Sequence, residues 1–185
     1  MREEHKPTSN NESPGVLVVN KEDIEKYLRM LGQELQQRNI TGEILLAGGA
    51  VMLLKVQNRE VTKDIDAYFN PGQADVIREA ARVIADREGL PHDWINDGVK
   101  GFFYAQPPTE RWAEYPGLRV YIPSLDYLFA MKVVAGRPQD IEDIKALANE
   151  LNLSNAHEAL TLVKKYIPEQ LLVPRIEYMI DEIFE

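Results

Sequence analysis

Apolar and polar positions alternate along this chain with two periods. From Asn20 onward, Ile24, Tyr27, Leu28, Leu31 and Leu35 recur at helical spacing and form one apolar stripe. Asn20 suits an N-cap with Asp23 at N3, and the helix is predicted to end near Thr41-Gly42. The run EILLA (43–47) is nearly continuous in apolar residues and reads as a short strand. Gly48 and Gly49 then separate it from the helical pattern of GGAVMLLKVQ. In KDIDAYF (63–69) the period falls to two, with Ile65, Ala67 and Phe69 on one strand face and Asp64, Asp66 and Tyr68 on the other. Pro71-Gly72 closes that strand.

Val76, Ile77, Ala80, Val83 and Ile84 predict a second crossover helix over 74–87. VKGFFYA (99–105) and LRVYI (118–122) read as later strands, separated by a turn-rich stretch holding Pro107, Pro108, Pro116 and Gly117. After Pro123 the pattern is helical to the end. Ser124 caps LDYLFAMKVVA, Gly136 terminates it, and Pro138 stands as the first residue of a helix through IEDIKALANEL. Ser154 starts another helix, and Pro168 and Pro174 break the last stretch. The pattern predicts an α+β fold: a small mixed sheet flanked by helices over 16–123, and a C-terminal helical cap over 124–185 packed on that core. Residues 1–15, almost wholly polar, read as a flexible N-terminal tail.

Composition narrows the chemistry. The 185 residues suit one domain, and 44% hydrophobic with 28% charged residues is a folded, soluble balance. Thirty acidic against 21 basic residues give a net charge of −9, which argues against binding nucleic acid through bulk positive charge. Cysteine is absent, so disulfides, thiolate metal sites and cysteine nucleophiles are excluded. No apolar run approaches the roughly 20 residues of a membrane span, and no signal peptide is evident, so a cytoplasmic location is expected. His5, His92 and His157 are scattered without metal-ligand spacing and read as surface residues. No Walker A loop, G-x-G-x-x-G element or G-x-S-x-G elbow is present.

One segment concentrates chemistry. Gly48 and Gly49 lie between a strand and a helix, where free backbone N–H groups favour an anionic phosphate and side chains would obstruct it. Asp64 and Asp66 project from one strand face about 7 Å apart, and carboxylates so placed converge on a hard divalent cation. A tight turn is the bland reading of the glycines, but aspartate is depleted in strands and costly beside a core unless ligated or hydrogen-bonded. Arg59 and Thr62 either shape the intervening loop or contact substrate. Lys132 is the only charged residue in YLFAMKVVA, and it needs a phosphate, an aspartate partner, or a path to solvent. Asp140 falls at N3 if Pro138 is N1, where an acidic side chain stabilises a helix start; Arg137 can pair with Asp140 or Asp143. Trp94, Phe102, Phe103, Tyr104, Trp112, Tyr115 and Tyr121 supply aromatic area, mostly for core packing, with some free to stack on a base.

The order Gly48-Gly49, Arg59, Thr62, Asp64-Ile65-Asp66 resembles the nucleotidyltransferase superfamily that includes DNA polymerase beta. It is most similar to the small prokaryotic abortive-infection and toxin-type nucleotidyltransferases and their uncharacterised relatives. Lys132, Arg137, Asp140 and Asp143 are similar to that branch's lysine and R-x-x-D-x-x-D stretch, so the match spans about Ile44 to Leu147. The resemblance implies transfer of a nucleoside monophosphate from a nucleoside triphosphate to a hydroxyl acceptor, with magnesium or manganese on Asp64 and Asp66. It implies that Gly48 and Gly49 contact the triphosphate, that Lys132 approaches the phosphates, and that Asp140 is a further functional carboxylate. It also points to transfer RNA or a protein as acceptor, and to a toxin–antitoxin or phage-defence role.

A transfer RNA would be met by Lys55, Arg59, Lys63, Arg111 and Arg119. The superfamily often adds a third carboxylate from a later strand, yet VKGFFYA and LRVYI contain no Asp or Glu; Glu114 and Asp126 are the nearest candidates. From Pro138 onward ten acidic residues stand against four basic ones, a balance that suits a basic protein partner better than RNA. A second reading therefore stays open: a noncatalytic regulatory or antitoxin-like module that keeps the fold and acts through a small partner protein.

Overall fold

A computed structural model describes residues 17–98 and 106–185. The expected tail and the strand expected over 99–105 lie outside these residues.

Helix α1 (Lys21–Gln37) begins at a capping box: the Asn20 side chain accepts from the Asp23 backbone N–H at 2.9 Å, and Asp23 accepts from Asn20 N–H at 3.1 Å. Its stripe of Ile24, Leu28, Leu31 and Leu35 is fully buried, and each such side chain contributes about 2 kcal/mol of burial. Strand β1 (Gly42–Leu46) leads into α2 (Gly48–Val51), which continues as a π-helical turn over Met52–Val56. Gln57, in the left-handed conformation at φ 59°, ends it. Strand β2 (Ile65–Phe69) buries Ile65, Ala67 and Phe69, the expected alternation; it begins at Ile65, so Asp64 stands at its entrance.

Helix α3 (Ala74–Glu88) follows, then the two-residue strand β3 (Ile95–Asn96), strand β4 (Thr109–Tyr115) and strand β5 (Leu118–Pro123). The sheet order is β3-β2-β1-β5-β4, with β1 antiparallel to β2 and parallel to β5. Helices α1 and α3 pack together over one face, where Ile44, Leu46, Val120 and Ile122 are buried. Trp94 is wholly buried there and donates its indole N–H to the Ala81 carbonyl at 3.0 Å, a core role. Two strands depart from expectation. β4 was hidden in a stretch read as turns, because as an edge strand its charged TERWAEY sequence carries little apolar alternation. β3 is too short to leave a pattern.

The last third is helical. Helix α4 (Leu125–Ala135) is apolar on nearly every side and is packed by α5 (Ile141–Glu150), α6 (Ala156–Tyr166) and α7 (Pro174–Phe184). Gly136 ends α4 at φ 55°. Two starts are shifted from expectation. Pro138–Asp140 forms a 3₁₀ turn, so Asp140 is the N-cap of α5 instead of its N3 residue. Asn155, not Ser154, caps α6, accepting from Glu158 N–H at 3.0 Å.

Candidate functional site

The start of α2, the loop before β2, and helices α4 and α5 meet at a cavity of about 800 Å³. Its wall includes Gly48, Gly49, Arg59, Thr62, Asp64, Asp66, Lys132 and Asp140, eight residues separated by up to 92 positions in sequence. The fold therefore brings all of the candidate site residues together.

The loop that carries Asp64 is tied down from both sides. Thr62, only 6% exposed, exchanges backbone hydrogen bonds of 2.9 Å with Val19 in both directions, and its hydroxyl donates to the Asp64 carbonyl at 3.2 Å. Asp66 is fixed by β2 itself: its carbonyl accepts from Ala47 N–H at 2.8 Å, which places the residue beside the β1–α2 turn. Gly48 adopts φ +57°, and a β-carbon there would stand 2.7 Å from Asp66 Oδ2. At Gly49 it would stand 2.5 Å from Thr62 Oγ1. The two glycines let the Asp66 carboxylate and the Thr62 hydroxyl close against the start of the helix.

Asp64 and Asp66 form a pair of carboxylates whose charge Lys63 offsets in part. Among the described residues no hydrogen bond or ion pair neutralises either side chain. Burial, then repulsion from Asp66 and from Asp93, raises the Asp64 pKa above the ordinary carboxylate value, with Lys63 pulling the other way. Two hard oxygen donors that repel one another suit a divalent cation. A third protein ligand is not at hand: among the described residues no group of three His, Asp or Glu side chains is arranged to hold a metal. Glu114 is paired on β4 with Arg111 at 2.6 Å and Arg119 at 3.5 Å. Asp126 accepts from the Tyr166 hydroxyl and from Lys165 at 3.2 Å, joining α4 to α6. Neither lines the cavity.

Behind the carboxylate pair lies a buried charge network. Lys132, 8% exposed, sets its Nζ 2.7 Å from Asp140 Oδ1 and 2.7 Å from Asp143 Oδ2. Asp143, 2% exposed, also accepts from Asn58 Nδ2 at 2.8 Å and from the Arg59 guanidinium. Burial alone would raise the Asp143 pKa, but Lys132, Asn58 and Arg59 bring it below the ordinary value. Thus Arg59 is held by a carboxylate on α5, and the lysine in the apolar helix finds aspartates as partners. Asn58, Asn96 and Gln139 also belong to the site or its support, and no periodic signal marks them along the chain.

Of the five cations expected to meet an RNA, four are engaged by carboxylates. Lys55 lies 2.9 Å from Glu110, Arg111 pairs with Glu114, Arg119 lies 3.0 Å from Glu43, and Arg59 pairs with Asp143. Lys63 stands beside Asp64 and offsets part of its charge. No helix of the described residues is long and apolar enough to cross a membrane.

No curated protein and no solved structure matches the chain. A mixed five-stranded sheet with a glycine turn set against a strand-borne aspartate pair is consistent with the nucleotidyltransferase fold. Residues 25–170 match the family described as nucleotidyltransferase of unknown function (DUF6036), and the chain belongs to that family.

Proposed function

We propose that the protein transfers a nucleoside monophosphate from a nucleoside triphosphate to a hydroxyl acceptor in a metal-dependent reaction. The observation that carries this reading is the Asp64–Asp66 pair in the wall of a cavity large enough for a nucleotide, with no side-chain hydrogen bond or ion pair to either among the described residues and with the Asp66 carboxylate closed against Gly48. Asp64 and Asp66 would hold magnesium or manganese, which supplies charge neutralisation for the triphosphate and orientation for in-line attack. The backbone N–H groups at Gly48 and Gly49 receive phosphate oxygens.

The acceptor oxygen bonds to the α-phosphorus while the bond from that phosphorus to the β-bridging oxygen breaks. The electron pair leaves with pyrophosphate, and the hydroxyl proton is released. An ammonium has three N–H donors: on Lys132 one is given to Asp140 at 2.7 Å, and the charge as a whole lies 2.7 Å from Asp143 Oδ2 without a hydrogen bond to it. Another is available to a phosphate oxygen at the cavity wall. Asp140 and Asp143 hold that ammonium in place, while Arg59 and Thr62 hold the loop.

The test is label transfer from each of four α-labelled ribonucleoside triphosphates, with magnesium or manganese, into RNA, protein and small-molecule fractions of a cell extract. Wild type should label one fraction, and Asp66→Ala should reduce the labelling at least a hundredfold with the fold retained. The lack of a third carboxylate among the described residues favours a second reading, a noncatalytic module that binds a partner protein. Absence of transfer by wild type from all four nucleotides supports that reading. A toxin–antitoxin or phage-defence setting fits either one.

A further inference from the structure

We infer that the acceptor is an uncharged, ring-bearing alcohol of nucleoside size, seated on Tyr121 beside Tyr68 on the sheet face turned away from α1 and α3, and not a polyanion. The inference rests on the nucleotidyl-transfer reading and names the substrate class of its second half-site.

The placement follows from strand register. Leu45 of β1 is opposite Tyr68 of β2 and, on its other side, opposite Tyr121 of β5. The three side chains therefore form one row on the face turned away from α1 and α3. The neighbouring row, one side-chain step or about 7 Å along the strands, contains Asp66 and Ala47. A ring resting on Tyr121 thus extends a hydroxyl toward the aspartate pair.

The chemistry of the wall agrees. A cavity of about 730 Å³ is formed there by Glu43, Leu45, Tyr68, Asn70, Gln106 and Tyr121 with adjoining backbone. The half-buried Tyr121 ring offers stacking surface, and two amides offer both donors and acceptors. Glu43 is the one charged residue of the wall among the described residues, and Arg119 neutralises it. A polynucleotide would need a net positive surface. Around this face Lys55, Arg111 and Arg119 are matched by Glu110, Glu114 and Glu43, within a chain of net charge −9.

The experiment is ligand-observed NMR on the full chain with adenosine, methyl glucoside and a single-stranded RNA hexanucleotide, with and without manganese and a nonhydrolysable triphosphate analogue. Adenosine is expected to bind both alone and with the analogue bound. Its affinity should fall at least tenfold in Tyr121→Ala and Tyr121→Leu, remain in Tyr121→Phe, and leave analogue binding unchanged. Methyl glucoside should bind more weakly than adenosine; the reverse would replace the nucleoside by a sugar and overturn the assignment. Failure of adenosine to bind, displacement of adenosine by the analogue, an unaltered affinity in both Tyr121→Ala and Tyr121→Leu, or tighter, salt-sensitive binding of the hexanucleotide would each overturn it as well. If wild type does not bind the analogue with metal, the transfer reading itself falls, and the acceptor role with it, whatever adenosine does.

Discussion

Gly48 and Asp66 share a space that has room for only one side chain: a β-carbon on Gly48 would come within 2.7 Å of the Asp66 carboxylate. The backbone at Gly48 is also left-handed, at φ +57°, which alone costs a substituted residue about 1–2 kcal/mol. Gly48→Ala should therefore fold with lowered stability and bind metal and nucleotide at least tenfold more weakly, because Asp66 must move. Thermal denaturation and titration of the same sample measure both effects. Wild-type nucleotide binding by this variant would contradict the close fit.

The Asp64–Asp66 repulsion predicts a gain of stability on losing function. Asp64 titrates above its unfolded-state value, chiefly through burial and then through Asp66 and Asp93. Its ionised form accordingly weakens the metal-free fold, and stability attributable to this group rises as pH falls through the raised pKa. Asp64 is exposed, so water screens much of this effect, and Asp64→Asn should raise Tm by no more than about 1 °C at pH 7 without metal while abolishing the further rise that magnesium gives wild type. A lower Tm in metal-free buffer would show that the pair is already compensated.

Asp143 presents the opposite case. It is buried among Lys132, Arg59 and Asn58, and its pKa lies below the ordinary carboxylate value, so its contribution is present above the unfolded pKa and lost as pH falls. Removing its charge leaves two cations short of a partner in a buried setting. Asp143→Asn should cost about 3 kcal/mol in urea unfolding at pH 7, and Asp140→Asn, with Asp143 still in place, less. Equal costs would mean that the network does not centre on Asp143.

Asp126 supplies a control away from the cavity. Burial would raise its pKa, but the neighbouring Ser124 hydroxyl and hydrogen bonds from Tyr166, Lys165 and the Tyr127 backbone hold it at about 2. The stabilisation is complete above the unfolded value and fades as pH falls from about 4 toward 2. Asp126→Ala should lose about 1–2 kcal/mol at pH 7 and converge with wild type in acid, with nucleotide binding unchanged. A large loss of nucleotide binding would place Asp126 in the site after all.

The parts of the site that could be read from the sequence are those written locally. Gly48-Gly49 at a strand-to-helix junction and two aspartates at period two are short-range signals; the glycines sit at that junction and Asp66 on β2, while Asp64 stands just before the strand. For Lys132 the sequence leaves open a phosphate, an aspartate or a path to solvent, and the tertiary placement of α5 and its N-cap supplies Asp140 and Asp143. The bonds from Asn58 and Arg59 to Asp143 cross 85 and 84 positions, a separation no periodicity encodes. β4 was missed because edge strands carry charge where core strands carry apolar residues, and the π-turn after Val51 looks in sequence like ordinary helix. The cations of Lys55, Arg111 and Arg119 read as a patch only until their cross-strand and neighbouring carboxylates are placed.

We propose that Asp64 and Asp66 hold a metal–nucleotide complex. Calorimetric titration of the four ribonucleoside triphosphates with magnesium or manganese, into wild type and into the Asp64→Ala/Asp66→Ala double variant, tests it without knowledge of the acceptor. We predict metal-dependent binding of at least one nucleotide to wild type and none to the variant. Equal binding by both proteins, or none by wild type, would contradict it.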